Sequence, residues 1–169
     1  YRSATVSQGV TVMDKRLVVD NEKCTGCMIC ELVCALKNTG QWHPALSRIK
    51  VVADRKRELF LPMVCAHCID PFCVDACLMN VIAKDPRTGL TIRNESACIG
   101  CRACEISCPF GSCLYDYTTD TVVNCDLCQG DPICVKYCPF DALRYISQAE
   151  AAGQKREQMA AKRVAQVVD

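Results

Sequence analysis

Cys24-Thr25-Gly26-Cys27-Met28-Ile29-Cys30-Glu31-Leu32-Val33-Cys34 places four cysteines in one short stretch, spaced C-x2-C-x2-C-x3-C. Three thiols fall within a single tight turn and the fourth follows a little further along the chain. Cys98, Cys101, Cys104 and Cys108 repeat that spacing and are closed by Pro109. Two wider variants complete the pattern. Cys65, Cys68, Cys73 and Cys77 read C-x2-C-x4-C-x3-C, and Cys125, Cys128, Cys134 and Cys138 read C-x2-C-x5-C-x3-C, closed by Pro139. Sixteen of the seventeen cysteines are thereby placed in four sets of four.

Three chemistries compete for such cysteines. A disulfide scaffold is opposed by the odd total, by the lack of a visible secretory signal, and by the poor disulfide geometry of cysteines three apart in one turn. Zinc knuckles also use C-x2-C, but they pair two knuckles across a spacer of a dozen or more residues. A third cysteine two residues on, and a fourth after three more, is instead the ligand pattern of a 4Fe–4S cube. The C-x3-C-x2-C order of radical enzymes is absent. Cys113 is left over and reads as a small buried apolar residue, with ligand replacement or redox sensing as the alternative.

The chain has 169 residues, enough for one domain or two small fused ones. Its 50% hydrophobic content includes the cysteines, so the apolar core is modest and metal binding supplies much of the folding free energy. The apo-chain is therefore expected to be largely unfolded. The formal charge is +1. An oxidised cube with four thiolates carries roughly two negative charges, which brings a four-cluster protein to roughly −7. Lys50, Arg55, Lys56, Arg57, Arg87, Arg102 and Arg144 would partly offset this. Balanced charge and few aromatic residues oppose nucleic-acid binding. No apolar run reaches transmembrane length. Reduced thiolates and oxygen-labile clusters point to the cytoplasm.

The chain reads as a duplication. Leu17-Val18-Val19-Asp20-Asn21-Glu22 leads into the first motif as Leu90-Thr91-Ile92-Arg93-Asn94-Glu95 leads into the third. Cys68-Ile69-Asp70-Pro71-Phe72-Cys73 likewise resembles Cys128-Gln129-Gly130-Asp131-Pro132-Ile133-Cys134. This predicts an α+β fold, a doubled bacterial two-cluster ferredoxin with short strands and helices around four clusters. The domain spans residues 16–147, as copies 16–86 and 89–147, between a polar N-terminal arm (1–15) and a C-terminal helical tail (148–169). Strands are expected at Arg16–Asp20, Arg48–Ala53, Glu58–Met63, Leu90–Arg93, Thr121–Asn124 and Leu143–Ile146, the second and third forming a hairpin. Helices should follow the third cysteine of the first and third motifs, at Glu31–Lys37 and Glu105–Cys108. The tail is rich in helix formers, but its apolar stripe (Met159, Ala160, Val164, Val167, Val168) is thin.

In two-cluster ferredoxins the last cysteine of each motif serves the other motif's cluster. Here the motifs can pair sequentially, first with second and third with fourth, or be nested, first with fourth and second with third. The four motifs, their order and the two Cys-Pro endings resemble the four-cluster ferredoxin subunits of the dimethyl-sulfoxide-reductase type, over roughly residues 16–147. That resemblance implies nested sets. Cys24, Cys27 and Cys30 would join Cys138, and Cys125, Cys128 and Cys134 would join Cys34. Cys65, Cys68 and Cys73 would join Cys108, and Cys98, Cys101 and Cys104 would join Cys77. The short Cys128–Cys134 loop and missing insertions look more like the small iron–sulfur subunits of tungsten aldehyde oxidoreductase and benzoyl-coenzyme-A reductase assemblies. Some family members replace the cysteine at the position of Cys101 by tryptophan and hold a three-iron cluster; Cys101 is intact, so four 4Fe–4S clusters are implied.

The resemblance implies an electron-transfer subunit without a catalytic site. It would relay electrons between a large tungsten- or molybdenum-pterin oxidoreductase subunit and a second redox subunit or carrier. A free-standing soluble polyferredoxin is the alternative. Ile29, Val33, Phe60, Phe72, Ile82, Ile99, Phe110 and Phe140 are expected to exclude water from the clusters. His67, between two ligating cysteines, reads as a loop side chain near its cluster, and His43 as part of a surface loop. Neither a nucleophile motif nor a Gly-rich dinucleotide fingerprint is present.

Overall fold

The computed structural model describes residues 14–168. The predicted N-terminal arm, apart from Asp14 and Lys15, lies outside these residues, as does Asp169. In chain order the elements are β1 (Lys15–Val19), α1 (Ile29–Thr39), β2 (Lys50–Asp54), β3 (Leu59–Met63), α2 (Phe72–Asp75), β4 (Ile82–Lys84) and β5 (Thr91–Arg93). There follow α3 (Ala103–Ile106), β6 (Leu114–Asp116), β7 (Thr121–Val123), α4 (Ile133–Lys136), β8 (Leu143–Ser147) and α5 (Gln148–Val168). Small sheets and short helices of this kind make a mixed α+β, ferredoxin-type fold.

The strands form four separate antiparallel pairs: β1 with β8, β2 with β3, β4 with β5, and β6 with β7. β2–β3 is the predicted hairpin, with Val52 opposite Leu61. Its turn is held by Asp54, whose Oδ1 accepts the N–H groups of Lys56 (3.1 Å) and Arg57 (3.3 Å). Two strands alone are marginal in water, so each ladder depends on what it packs against. β1 pairs Leu17 with Tyr145, so strands near the two ends of the ferredoxin region close on each other. All six expected strands are present, with ends shifted by one or two residues. β4 and β6 were not foreseen, because three residues carry too little alternation to be recognised without their partners.

Two apolar clusters support these ladders. The first gathers Cys30, Cys34, Ile49, Val51, Cys134 and Leu143, with Leu17, Val19 and Phe60 packed against it. The second gathers Ile82, Cys104, Cys113 and Val122, with Val74 and Tyr115 against it. Each joins residues before position 87 to residues beyond position 100. Half of the buried members are cysteines, so ordinary apolar burial contributes little. Within the first cluster, buried Glu31 ties α1 to β2 by accepting the Val51 N–H at 2.6 Å.

The C-terminal tail is helical, as expected. It is tethered near its start, where the Gln148 N–H donates to the Asp14 carbonyl at 2.8 Å, and further along by Lys162 paired with Glu22 at 2.8 Å. Met159 and Val164 on its thin apolar stripe are exposed.

Candidate metal centres

The four motifs share one local construction. In every C-x2-C turn the residue before the second cysteine is left-handed: Gly26 (φ 71°), His67 (φ 48°), Gly100 (φ 66°) and Leu127 (φ 54°). This reverses the chain so that neighbouring thiols can face one centre. Glycine is needed in two turns for space as well as for φ. A Cβ on Gly26 would overlap the Phe60 ring, and one on Gly100 would overlap the Asp120 carbonyl oxygen. His67 and Leu127 carry the left-handed strain themselves.

In each motif the third cysteine is the second residue of a helix. Cys30, Cys73, Cys104 and Cys134 stand at that position of α1, α2, α3 and α4. In the first and third motifs the residue before the helix, Met28 or Arg102, is left-handed (φ 60° and 61°). The wider second and fourth motifs use proline there, Pro71 and Pro132, whose fixed φ suits a helix start. Their extra residues accommodate the Asp70-Pro71 and Asp131-Pro132 turns. The helical turns α2 and α4 were therefore missed in the sequence, where only the first and third motifs were assigned helices.

The structure brings sequence-distant cysteines together. Cys24, Cys27 and Cys30 line one recess with Cys138, Pro139 and Phe140. Burial pushes the Cys65 thiol up to about 11, and the neighbouring charges of Cys73, Cys108 and Cys68 add to the effect. Burial likewise pushes Cys134 up to about 12, with contributions from Cys34, Cys128 and Cys30. Cys125 is raised by burial and, among nearby charges, by Cys134 and Cys34. Cys104 shares the second apolar cluster with Cys73, Cys77, Cys108 and Cys113. Cys65, Cys125 and Cys134, raised in this way, hold their protons until a metal displaces them, whereas hydrogen bonds from Cys113 pull Cys73 and Cys104 down.

The donor set fits thiolates bound to iron. Several N–H groups aim at sulfur. Cys34 Sγ accepts from the Arg48 amide (3.3 Å) and Asn38 Nδ2 (3.4 Å), and Cys108 Sγ from the Ser112 amide (3.4 Å). Cys125 Sγ accepts from the Leu127 amide (3.4 Å), and Cys104 Sγ from Arg93 Nη1 (3.3 Å). Such donors are one of the levers on cluster potential. Among the described residues no three His, Cys, Asp or Glu side chains converge closely enough for a single metal ion. A cube takes its thiolates at separate corners and does not need that convergence.

Several side chains behave differently from expectation. Val33 and Ile82 are buried, but Phe72, Ile99, Phe110 and Phe140 are exposed. Phe72, Ile99 and Phe110 stand beside cysteines at the surface, whereas Phe140, though partly exposed, lines the recess of Cys24, Cys27 and Cys30. His67 is only 4% exposed, and it does more than a loop neighbour would. Its Nδ1 accepts the Thr91 N–H at 3.0 Å, fixing β5 to the Cys65–Cys68 turn and placing the neutral ring's proton on Nε2. Burial first, then the charges of Lys84 and Arg16, pull its pKa from 6.5 to about 4. His43 is exposed beside Pro44, as expected of a surface loop. Cys113 is buried, as read from its type, but it lies against candidate ligands: hydrogen bonds with Cys104 and Cys73 raise its pKa. Arg93, absent from the cations singled out in the sequence, reaches Cys104. In the sequence Arg93 stands where the similar stretch ahead of the first motif has Asp20.

Four cysteine clusters, each on a reversed turn, define a ferredoxin-type iron–sulfur protein, whose work is to accept and pass on electrons. The chain belongs to the 4Fe–4S dicluster-domain family, whose model matches residues 56–148, while a 4Fe–4S binding domain matches residues 21–38. It is 38% identical over 138 residues to the aliphatic sulfonate oxidoreductase polyferredoxin-like subunit of Pyrococcus furiosus, covering 78% of this chain and 77% of that one. It is 31% identical over 147 residues to a subunit of the anaerobic dimethyl sulfoxide reductase of Escherichia coli, covering 75% and 70%. The solved active-site complex BamBC of benzoyl coenzyme A reductase aligns with a TM-score of 0.45 and 28% identity, over 91% of this chain and 96% of that one. Like its relatives among the iron–sulfur subunits of oxidoreductases, the chain transfers electrons and is not itself the catalytic subunit.

Proposed function

We propose that this chain relays electrons through four 4Fe–4S clusters between a large catalytic subunit holding a tungsten or molybdenum pterin and a second redox partner. The observation that carries the reading is fourfold: every motif has the same reversed turn and the same thiol at the second residue of a helix. The bound clusters would supply one-electron chemistry at potentials within a range of roughly −700 to +450 mV. The protein's residues supply ligation, N–H···S hydrogen bonds and partial exclusion of water.

The ligand sets are the nested ones. Cys24, Cys27, Cys30 and Cys138 hold one cluster, and Cys125, Cys128, Cys134 and Cys34 the second. Cys65, Cys68, Cys73 and Cys108 hold the third; Cys98, Cys101, Cys104 and Cys77 hold the fourth. The shared recess of Cys138 with the first motif, and the proximity of Cys108 to Cys65 and of Cys34 to Cys125, support this choice. The ferredoxin domain is residues 16–147, a duplication of 16–86 and 89–147 whose two cores are interleaved, with residues 148–169 as an appended helix.

A subunit is favoured over a free polyferredoxin by exposed apolar side chains. Ile69, Phe72, Leu78 and Ile106, on or beside the mutually packed turns α2 and α3, are all more than half exposed. Exposed apolar surface of this kind marks a protein contact. No helix among the described residues is long and apolar enough to cross a membrane, and we place the assembly in the cytoplasm on the oxygen lability of its clusters. The test is anaerobic affinity purification with metal analysis. Sixteen irons per chain and a stoichiometric large subunit containing tungsten or molybdenum are expected. A clean monomer would remove the subunit reading, and zinc in place of iron would remove the relay.

A further inference from the structure

The two motifs with identical spacing have neighbours of opposite charge. Position 93, at the end of β5, carries arginine where the repeat carries Asp20 ahead of the first motif. The Asp20 carboxylate serves its own turn, accepting the Glu22 N–H at 3.2 Å. Arg93 turns inward. Its Nη1 donates to Cys104 Sγ at 3.3 Å, its Nε to Asn124 Oδ1 at 3.3 Å, and its Nη2 lies 3.8 Å from Cys113 Sγ.

What sets Arg93 apart is that its guanidinium donates to sulfur, with no carboxylate among its partners in the described residues. Arg48 is neutralised by Glu95 (3.2 Å) and Asp126 (3.6 Å). Arg102, adjacent to Cys101, is bonded to Glu105 at 2.6 Å and lies over the Tyr115 ring, facing solvent. A partly buried guanidinium without a carboxylate needs another anion close by, and the sulfurs around Cys104 are what the structure offers.

We propose that Arg93 is a potential-setting residue, holding the cluster bound through Cys104 at a higher reduction potential than the first-motif cluster, which it otherwise matches in spacing. Reduction adds a negative charge to the cluster, and a fixed cation in hydrogen-bond contact with one ligand favours that added charge. Glutamate follows both Cys30 and its counterpart Cys104, as Glu31 and Glu105, so the guanidinium on Cys104 is the difference: no arginine donates to Cys30 among the described residues. The duplicated frame is thus made electrically asymmetric, and of these two clusters the one on the Cys104 side is reduced more readily. This rests on the reading of Cys104 as a cluster ligand.

The experiment compares wild-type holoprotein with Arg93→Gln, Arg93→Lys and Arg102→Gln by EPR-monitored redox titration, after iron analysis of each. Arg93→Gln should shift one component to lower potential. The expected size is tenfold or more in its reduction equilibrium, about 59 mV for a one-electron couple. Arg93→Lys should recover most of the loss. Arg102→Gln should shift its component far less, and by an amount that high salt abolishes. Full iron content with unchanged potentials in Arg93→Gln overturns the proposal, and so does an equal shift in Arg102→Gln.

Should Arg93→Gln fail to load iron, the wild type labelled with 15N at the arginine guanidinium is examined by pulsed EPR. A nitrogen coupling to one of the reduced clusters is expected, and its absence from all of them overturns the proposal. A wild type lacking iron altogether overturns the cluster reading itself, a distinct result.

Discussion

Gly100→Ala tests whether the C-x2-C turns are held by steric necessity. Gly100 is left-handed, and a Cβ there would overlap the Asp120 carbonyl oxygen and come within 3.4 Å of the Tyr115 ring. The left-handed conformation costs an alanine about 1 kcal/mol or slightly more. Forcing apart a backbone carbonyl adds about 1–3 kcal/mol. Gly40, the C-cap of α1, supplies the control: its φ is 72°, almost the same, but nothing lies within 4 Å of the added carbon. Gly40→Ala should therefore show the conformational cost alone. The difference, about 2 kcal/mol, is a factor of roughly thirty. Cluster loss is irreversible, so the readout is a rate: anaerobic bleaching of the visible iron–sulfur absorption at a fixed guanidinium concentration. Gly100→Ala should bleach roughly ten- to thirtyfold faster than Gly40→Ala. Equal rates would show that the Asp120 carbonyl does not constrain the turn, and the steric argument would fail.

Three further outcomes are expected. Cys138→Ser and Cys27→Ser should abolish the same EPR component, with no further loss in the double variant; damage in Cys138→Ser confined to the third-motif cluster would contradict nested ligation. His67 has a pKa lowered from 6.5 to about 4, so the folded state binds fewer protons than the unfolded one. Its contribution, about 3 kcal/mol by the pKa difference, is present above pH 6.5 and is lost as pH falls toward 4. His67→Gln should flatten that part of the acid-stability profile measured by cluster bleaching, and an unchanged slope would refute it. The iron-free chain should show collapsed side-chain dispersion by NMR, because the two cores hold few apolar side chains besides their cysteines; native-like dispersion would refute the dependence on metal.

Local spacing carried much of this protein's description. A C-x2-C turn places its thiols through a few adjacent dihedrals, so the four motifs were legible residue by residue. The β2–β3 hairpin was legible for the same reason, since both strands and their charged turn are contiguous. The long tail announced its helix by composition. β4 and β6 were not legible, because three residues become a strand only when paired. The exposure of Phe72, Ile99 and Phe110 was hidden too: hydrophobicity states what a side chain prefers, whereas burial depends on which elements arrive to cover it.

The amino-acid order by itself determined the chemistry, because ligand type and spacing are local properties of the chain. Only the tertiary structure decided which distant groups share a site. It closed β1 on β8, brought Cys138 to Cys24, put Thr91 against His67 and set Arg93 on Cys104. Those neighbours act through space over a few ångströms, and the sequence positions that supply them are separated by anything from eleven residues to more than a hundred.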